Sequence, residues 1–185
     1  MAIKASDIRD GLYAWASANS GVDTVIWLHP DAPRPPRPYA TLLIGVIQPI
    51  GQDYLGDVNE DGARIIRGTR ELTVSVAVYE KPSAHPNEAA MKAEAMRNSL
   101  RKQSVRHDFA DKGIVYVDDF GVQDLTQLID TTFEGRAEVD LLFRTTSEIE
   151  DDVGFIQTVE VEGEISKTED GPTMKREFTV ALEGN

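Results

Sequence analysis

Arg70-Glu-Leu-Thr-Val-Ser-Val-Ala-Val-Tyr79 decides the fold class. Leu72, Val74, Val76 and Val78 fall on one side of an extended chain, and Glu71, Thr73 and Ser75 fall on the other, the pattern of a strand buried on one face. Phe133-Glu-Gly-Arg-Ala-Glu-Val-Asp-Leu-Leu-Phe-Arg144 repeats it. Phe133, Ala137, Val139, Leu141 and Phe143 share a side, opposite Glu134, Arg136, Glu138 and Asp140. Two such strands need a second layer over their apolar side.

Outward from these, two segments predict helices. Ser6 can cap the first, with Asp7 near the positive end of its dipole, and Ile8, Leu12 and Trp15 follow at spacings of four and three. Gly21 is a suitable stop. Asn87 can cap the second, along which Ala89, Ala93, Met96 and Leu100 form an apolar stripe. Val105 and Phe109 add a turn before Gly113, and a short strand is expected at Ile114–Val117. Val22–Leu28 reads as a short strand. Pro33-Arg-Pro-Pro-Arg-Pro38 is stiff and extended, because proline lacks the N–H that a helix or ladder requires. Ala40–Ile50 is an apolar strand expected to be buried on both faces, and Gly51–Gly68 reads as a long polar hairpin loop. After the acidic Glu148–Asp152 stretch come strands at Phe155–Ile165 and Met174–Leu182, joined by a turn at Asp170-Gly171.

The predicted fold class is therefore α+β: a mixed, largely antiparallel β-sheet packed against two main helices, with a C-terminal β-hairpin extension. Residues 1–147 form the main domain and residues 148–185 the acidic extension. A chain of 185 residues is long enough for a buried core.

Composition narrows the function. Net charge is −13, and residues 148–185 hold 11 acidic against 3 basic side chains. Tight nucleic-acid binding needs clustered Lys and Arg, so this balance argues against it. There is no cysteine, which removes disulfides and thiolate chemistry. The longest apolar run, Leu42–Ile47, is too short to span a bilayer. The opening Met1-Ala-Ile-Lys-Ala-Ser-Asp7 lacks the apolar core of a secretory signal.

Chemistry-bearing motifs are sparse. Asp57-Val-Asn59-Glu-Asp61-Gly62 copies the first half of a calcium loop, but the twelfth position is Gly68, where a bidentate Glu is needed. His29, His85 and His107 stand apart in sequence, without metal-ligand spacing. No nucleophile, base and orienter can be nominated together. The sequence therefore predicts no catalytic, cofactor-binding or metal site and no cofactor. Its candidate functional residues are contact residues: Arg34, Arg37 and Tyr39 on the stiff proline segment, Arg67 and Arg70, and the charged side of the second strand, Glu134, Arg136, Glu138 and Asp140. The mixed signs on that strand suit pairing across a contact between unlike patches.

Several local stretches, in order, resemble a known family. These are Ile8-Arg-Asp-Gly-Leu12-Tyr-Ala-Trp15-Ala16, Val25-Ile-Trp27, Ala32-Pro-Arg34-Pro-Pro36-Arg-Pro38-Tyr39-Ala40, Arg70-Glu-Leu72-Thr-Val74-Ser-Val76, Asp124-Leu-Thr126, Phe133-Glu134-Gly-Arg136-Ala137-Glu-Val139-Asp140 and Asp151-Asp-Val153-Gly154-Phe-Ile156. Across residues 5–165 the chain resembles the tail-terminator or neck (tail-completion) proteins of tailed bacteriophages. The resemblance implies a small α+β structural protein of the virion, assembled in the host cytoplasm. It would form a homo-oligomeric ring, of hexameric order, at the head-proximal end of the tail tube. Its partners would be the tail tube protein and the neck or connector protein, and DNA would pass through the lumen without specific binding. A neighbouring role, as a head-completion or connector protein on the capsid side of the joint, is the alternative. An enzyme whose site is scattered along the chain is the third.

Overall fold

The computed structural model describes residues 5–29, 33–81, 85, 87–129, 132–154, 158–165 and 174–181. Its elements in chain order are α1 (Ala5–Asn19), β1 (Val25–Trp27), β2 (Tyr39–Leu55), β3 (Ala63–Glu80), α2 (Glu88–Ser99), α3 (Gln103–Ala110), β4 (Ile114–Asp124), β5 (Gln127–Ile129), β6 (Thr132–Asp152), β7 (Thr158–Ile165) and β8 (Met174–Ala181). The fold is α+β. One mixed sheet of six strands runs in the order β1-β2-β3-β6-β4, with β5 also on β6, and β7 pairs with β8 separately.

β1 lies parallel to β2, while β2–β3, β4–β6 and β5–β6 are antiparallel. Between β3 and β6, Arg67 meets Glu148, Glu71 meets Arg144 and Ser75 meets Asp140. Numbers rising on one strand as they fall on the other make this pair antiparallel too. The parallel β1–β2 step needs a connection longer than a hairpin turn, and the proline segment lies in it.

The two alternating stretches carry the core. Leu72, Val74, Val76 and Val78 of β3 and Ala137, Val139, Leu141 and Phe143 of β6 are all buried. Onto this face pack Leu12, Trp15 and Ala16 of α1, Ala89, Ala93 and Met96 of α2, and Phe109 of α3. Alanines at two of the α2 contact positions let that helix approach the sheet closely. Phe109 sits between Trp15 and Phe143, with ring centroids 6.0 and 5.4 Å away, spacings typical of favourable aromatic pairs. The Trp15 indole donates to Ser99 Oγ at 2.9 Å, and Ser99 donates to the Met96 carbonyl. This satisfies the buried indole and ties α1 to α2.

Several sequence expectations change in detail. α1 begins at Ala5, so Ser6 lies inside it and donates to Asp7 instead of capping. Gly21 is left-handed (φ 64°) just past the helix end, as expected. Asn87 is also left-handed and makes no side-chain cap bond. Val105 and Phe109 belong to a separate helix, α3, because Lys102 is extended between it and α2. Phe133 is 63 % exposed, unlike the residues expected to share its side, since it sits near the end of β6 against short β5.

The largest change concerns β2. Only its first four residues are buried; beyond Ile44 nearly every position is exposed, although the composition stays apolar. Hydrophobicity alone therefore overstated its burial. Most of the polar stretch expected as a loop is strand, paired at Tyr54↔Arg67 and Leu55↔Ile66, and β2 shifts register on β3 twice, once before this stretch at Ile44/Ile47 and once at Ile50/Tyr54. Such shifts bend a strand and leave residues unpaired.

The chain divides into two compact units, Met1–Leu55 with Ile66–Ile149, and Gly56–Ile65 with Glu150–Asn185. In the second, Asn59 Oδ1 accepts the backbone N–H groups of Asp61 and Ala63, and Gly62 adopts φ 82°. The calcium-like stretch thus spends its Asn side chain on its own turn. Arg64 binds Asp151 at 2.8 Å in the same unit. β7 and β8 pair in register from Thr158↔Ala181 to Ile165↔Met174; the turn expected at Asp170-Gly171 lies outside the described residues.

Candidate assembly surface

The face of β2, β3 and β6 opposite the helices carries the polar residues of the alternating pattern. Tyr39 leads from the proline segment into β2 and stands opposite Tyr79 of β3. Their rings stack at 4.6 Å with 12° between planes, and both are buried. The Arg136 guanidinium of β6 lies 5.4 Å from the Tyr79 ring centroid, and Arg136 also donates to Glu138 at 2.7 Å. Cations over an aromatic face are attracted by its quadrupole.

Arg37 forms an ion pair with Glu134, which is only 5 % exposed. A carboxylate so far from water needs such a partner. Arg34 enters through the same patch. It lines a hollow of about 350 Å³ with Ile26, Leu28, Tyr39 and Leu43. Burial, helped by Tyr79 and Glu134, pushes the Tyr39 phenol above its ordinary pKa, while Arg34 and Arg37 pull the other way.

Six of the nine residues nominated from sequence therefore meet around one stacked tyrosine pair: Arg34, Arg37, Tyr39, Glu134, Arg136 and Glu138. The other three lie farther along the sheet. Arg70 grips Asp53 with two bonds of 2.7 and 2.6 Å, holding the Asp53 carboxyl below its usual range. Arg67 donates Nε to Glu148 at 2.7 Å, and Asp140 accepts from Ser75. The charged strand residues are engaged with one another inside the chain, so the surface they offer is pre-ordered.

Sequence reasoning passed over two features. Tyr79 was assigned to a strand but not to the patch; its register opposite Tyr39 could not be read before the strands were paired. The second is a knot beside α2. The Tyr116 hydroxyl donates to Asp119 at 2.6 Å, Asp119 accepts the Gly121 N–H, and Arg97 reaches Asp119 at 3.3 Å. Burial, then the Asp119 carboxylate, push the Tyr116 pKa up to about 12. Burial pushes the Asp119 carboxyl up, but Tyr116, Gly121, Arg97 and Arg101 outweigh it and hold it below its ordinary value. The knot pins the irregular part of β4, where its register on β6 shifts twice.

The charged pairs of the patch are structural in geometry. Glu134 faces Arg37, Glu138 faces Arg136 and Asp140 faces the Ser75 hydroxyl. Among the described residues, no group of three or more His, Cys, Asp or Glu could hold a metal ion, and no helix is long and apolar enough to cross a membrane. No curated protein matches the chain. The family model described as phage neck terminator protein matches residues 6–169, most of the length, and the chain belongs to that family.

Proposed function

We propose that this protein caps the head-proximal end of a phage tail tube as a ring of identical subunits, ending tube polymerisation and presenting a docking surface for the neck or connector. Membership in the neck terminator family makes it a structural component of the phage neck or tail, and that match is the observation on which the finer reading stands. The pre-ordered face around Tyr39 and Tyr79 supports it. A cap that works by shape needs rigid side chains, since ordering them on contact would cost affinity. The ring is of hexameric order with heterologous contacts, and Arg34, Arg37, Tyr39, Arg67, Arg70, Glu134, Arg136, Glu138 and Asp140 serve contacts with neighbouring subunits or with the tube and connector.

Part of the net charge of −13 faces the lumen, where like charge lets DNA slide without being held. The protein is a virion component assembled in the host cytoplasm, and it binds no cofactor. A phage lacking it is expected to make tails of uncontrolled length by electron microscopy. Headless tails of normal length would move the protein to the capsid side of the joint. Turnover of a substrate by the isolated protein would refute both.

A further inference from the structure

Among the described residues, the outer edge of β2 is open beyond Leu42. β1 pairs only with Ala40–Leu42, and among the described residues no strand lies on that side from Leu43 to Leu55. Over all of β2 the only charged residue is Asp53, which Arg70 already holds. Exposed strand edges usually carry charges that prevent another strand from adding on; this one carries Val46, Ile47, Ile50, Tyr54 and Leu55, each between 36 and 62 % exposed. At ordinary side-chain areas these five offer roughly 500 Å², and Leu43 with the open backbone brings one side toward the ~800 Å² per partner of a stable interface.

The other end of the sheet is complementary. β4 closes the strand order there, and it exposes Val115, Val117 and Phe120 beside the carboxylates Asp118 and Asp124. Copies of a chain with net charge −13 repel one another, and a local cation eases a contact that is otherwise apolar. Arg67 stands in β3 beside the apolar strip. It is half exposed and spends Nε on Glu148, which leaves further guanidinium donors for an incoming carboxylate.

We propose that the outer edge of β2 between Leu43 and Leu55 receives the β4 edge of a second copy of this chain, with Arg67 meeting one carboxylate of that edge, Asp118 or Asp124. Two different edges joined head to tail form a heterologous contact, which repeats and can close into a ring. Pro49 and the register shifts of β2 confine the strand pairing to short segments, which keeps the contact from extending as an open ladder. The assignment rests on the ring reading, since an edge meeting its own copy would stop at two subunits.

Because the chain has no cysteine, Ile47→Cys and Phe120→Cys each introduce a single thiol at an exposed site. A bismaleimide cross-linker applied to an equimolar mixture of the two variants is expected to give a covalent dimer. The double variant should give a ladder ending at the ring, in concentrated solution or in purified particles, and each single variant should remain uncoupled. Dimers from Ile47→Cys alone overturn the proposal, as does a missing ladder in particles that contain the protein; both leave the cap function intact. Particles without the protein overturn the ring reading itself.

Discussion

Removing Arg37 tests whether the proline segment is held to the sheet by its ion pair. Glu134 is buried, whereas the Arg37 side chain keeps 29 % of its surface in water. Deleting one partner of a fully buried pair typically costs about 3–5 kcal/mol, because the remaining charge is stranded. Water reaching the Arg37 end lowers the expectation for Arg37→Ala to about 2–3 kcal/mol. Glu134→Ala strands a charge that water can still reach, so it should cost about 1–2 kcal/mol. The double variant removes both charges and should cost clearly less than the two single changes together, with a coupling of ~1–2 kcal/mol. Urea unfolding followed by tryptophan fluorescence suits the measurement, since Trp15 and Trp27 belong to the same unit as both partners. For a chain of this size the Arg37→Ala loss corresponds to about 5–10 °C in Tm. Costs that add to within ~0.5 kcal/mol would refute the reasoning, because independent groups show no coupling.

The Asp119 carboxyl is held below its ordinary value of 3.8, so its stabilisation is present above that value and lost as pH falls through the lowered folded value; Asp119→Asn should flatten the acid limb of a stability–pH curve. Tyr116 behaves in the opposite sense. With its pKa raised from 10.0 to about 12, its contribution is intact below pH 10 and lost on rising toward 12, and Tyr116→Phe should remove that alkaline loss in the same curve. Trp15→Phe deletes the indole donor to Ser99 and leaves a gap beside Phe109, with an expected cost of about 2–3 kcal/mol by urea unfolding; Ser99→Ala in that background should add little. Gly56→Ala would set a Cβ 2.8 Å from the Ile65 carbonyl oxygen, so about 1–3 kcal/mol of strain is expected, read as faster hydrogen exchange at the Gly56 amide that donates to Ile65.

The sheet and its covered face were legible because one residue type per side is all that strict alternation requires. Leu72 to Val78 and Ala137 to Phe143 announced their burial before any pairing was known. The helices were legible for the same reason, through Leu12, Trp15, Ala93 and Met96. The surface was legible only as a set of names. Arg37 could be nominated from the proline segment, yet its meeting with Glu134 joins positions far apart in sequence and depends on the order β2-β3-β6. Apolar content misled at β2, since Val46 and Ile47 look like core in a window of sequence, and only the topology shows that no strand among the described residues lies on their outer side. The Tyr116–Asp119 bond carried no signal, because the Asp118-Asp119 pair reads as solvated charge beyond a strand expected to end at Val117, whereas β4 runs on to Asp124.

The bare rim of β2 sets how ionic strength governs the free subunit. Long-range repulsion among molecules of charge −13 keeps sticky margins apart in dilute buffer, while the adhesion itself is short-ranged and mostly uncharged. Raising salt toward 1 M shrinks the screening length to about 3 Å, which strips the repulsion first. Subunits should therefore gather as salt rises, the reverse of an association built on charge attraction.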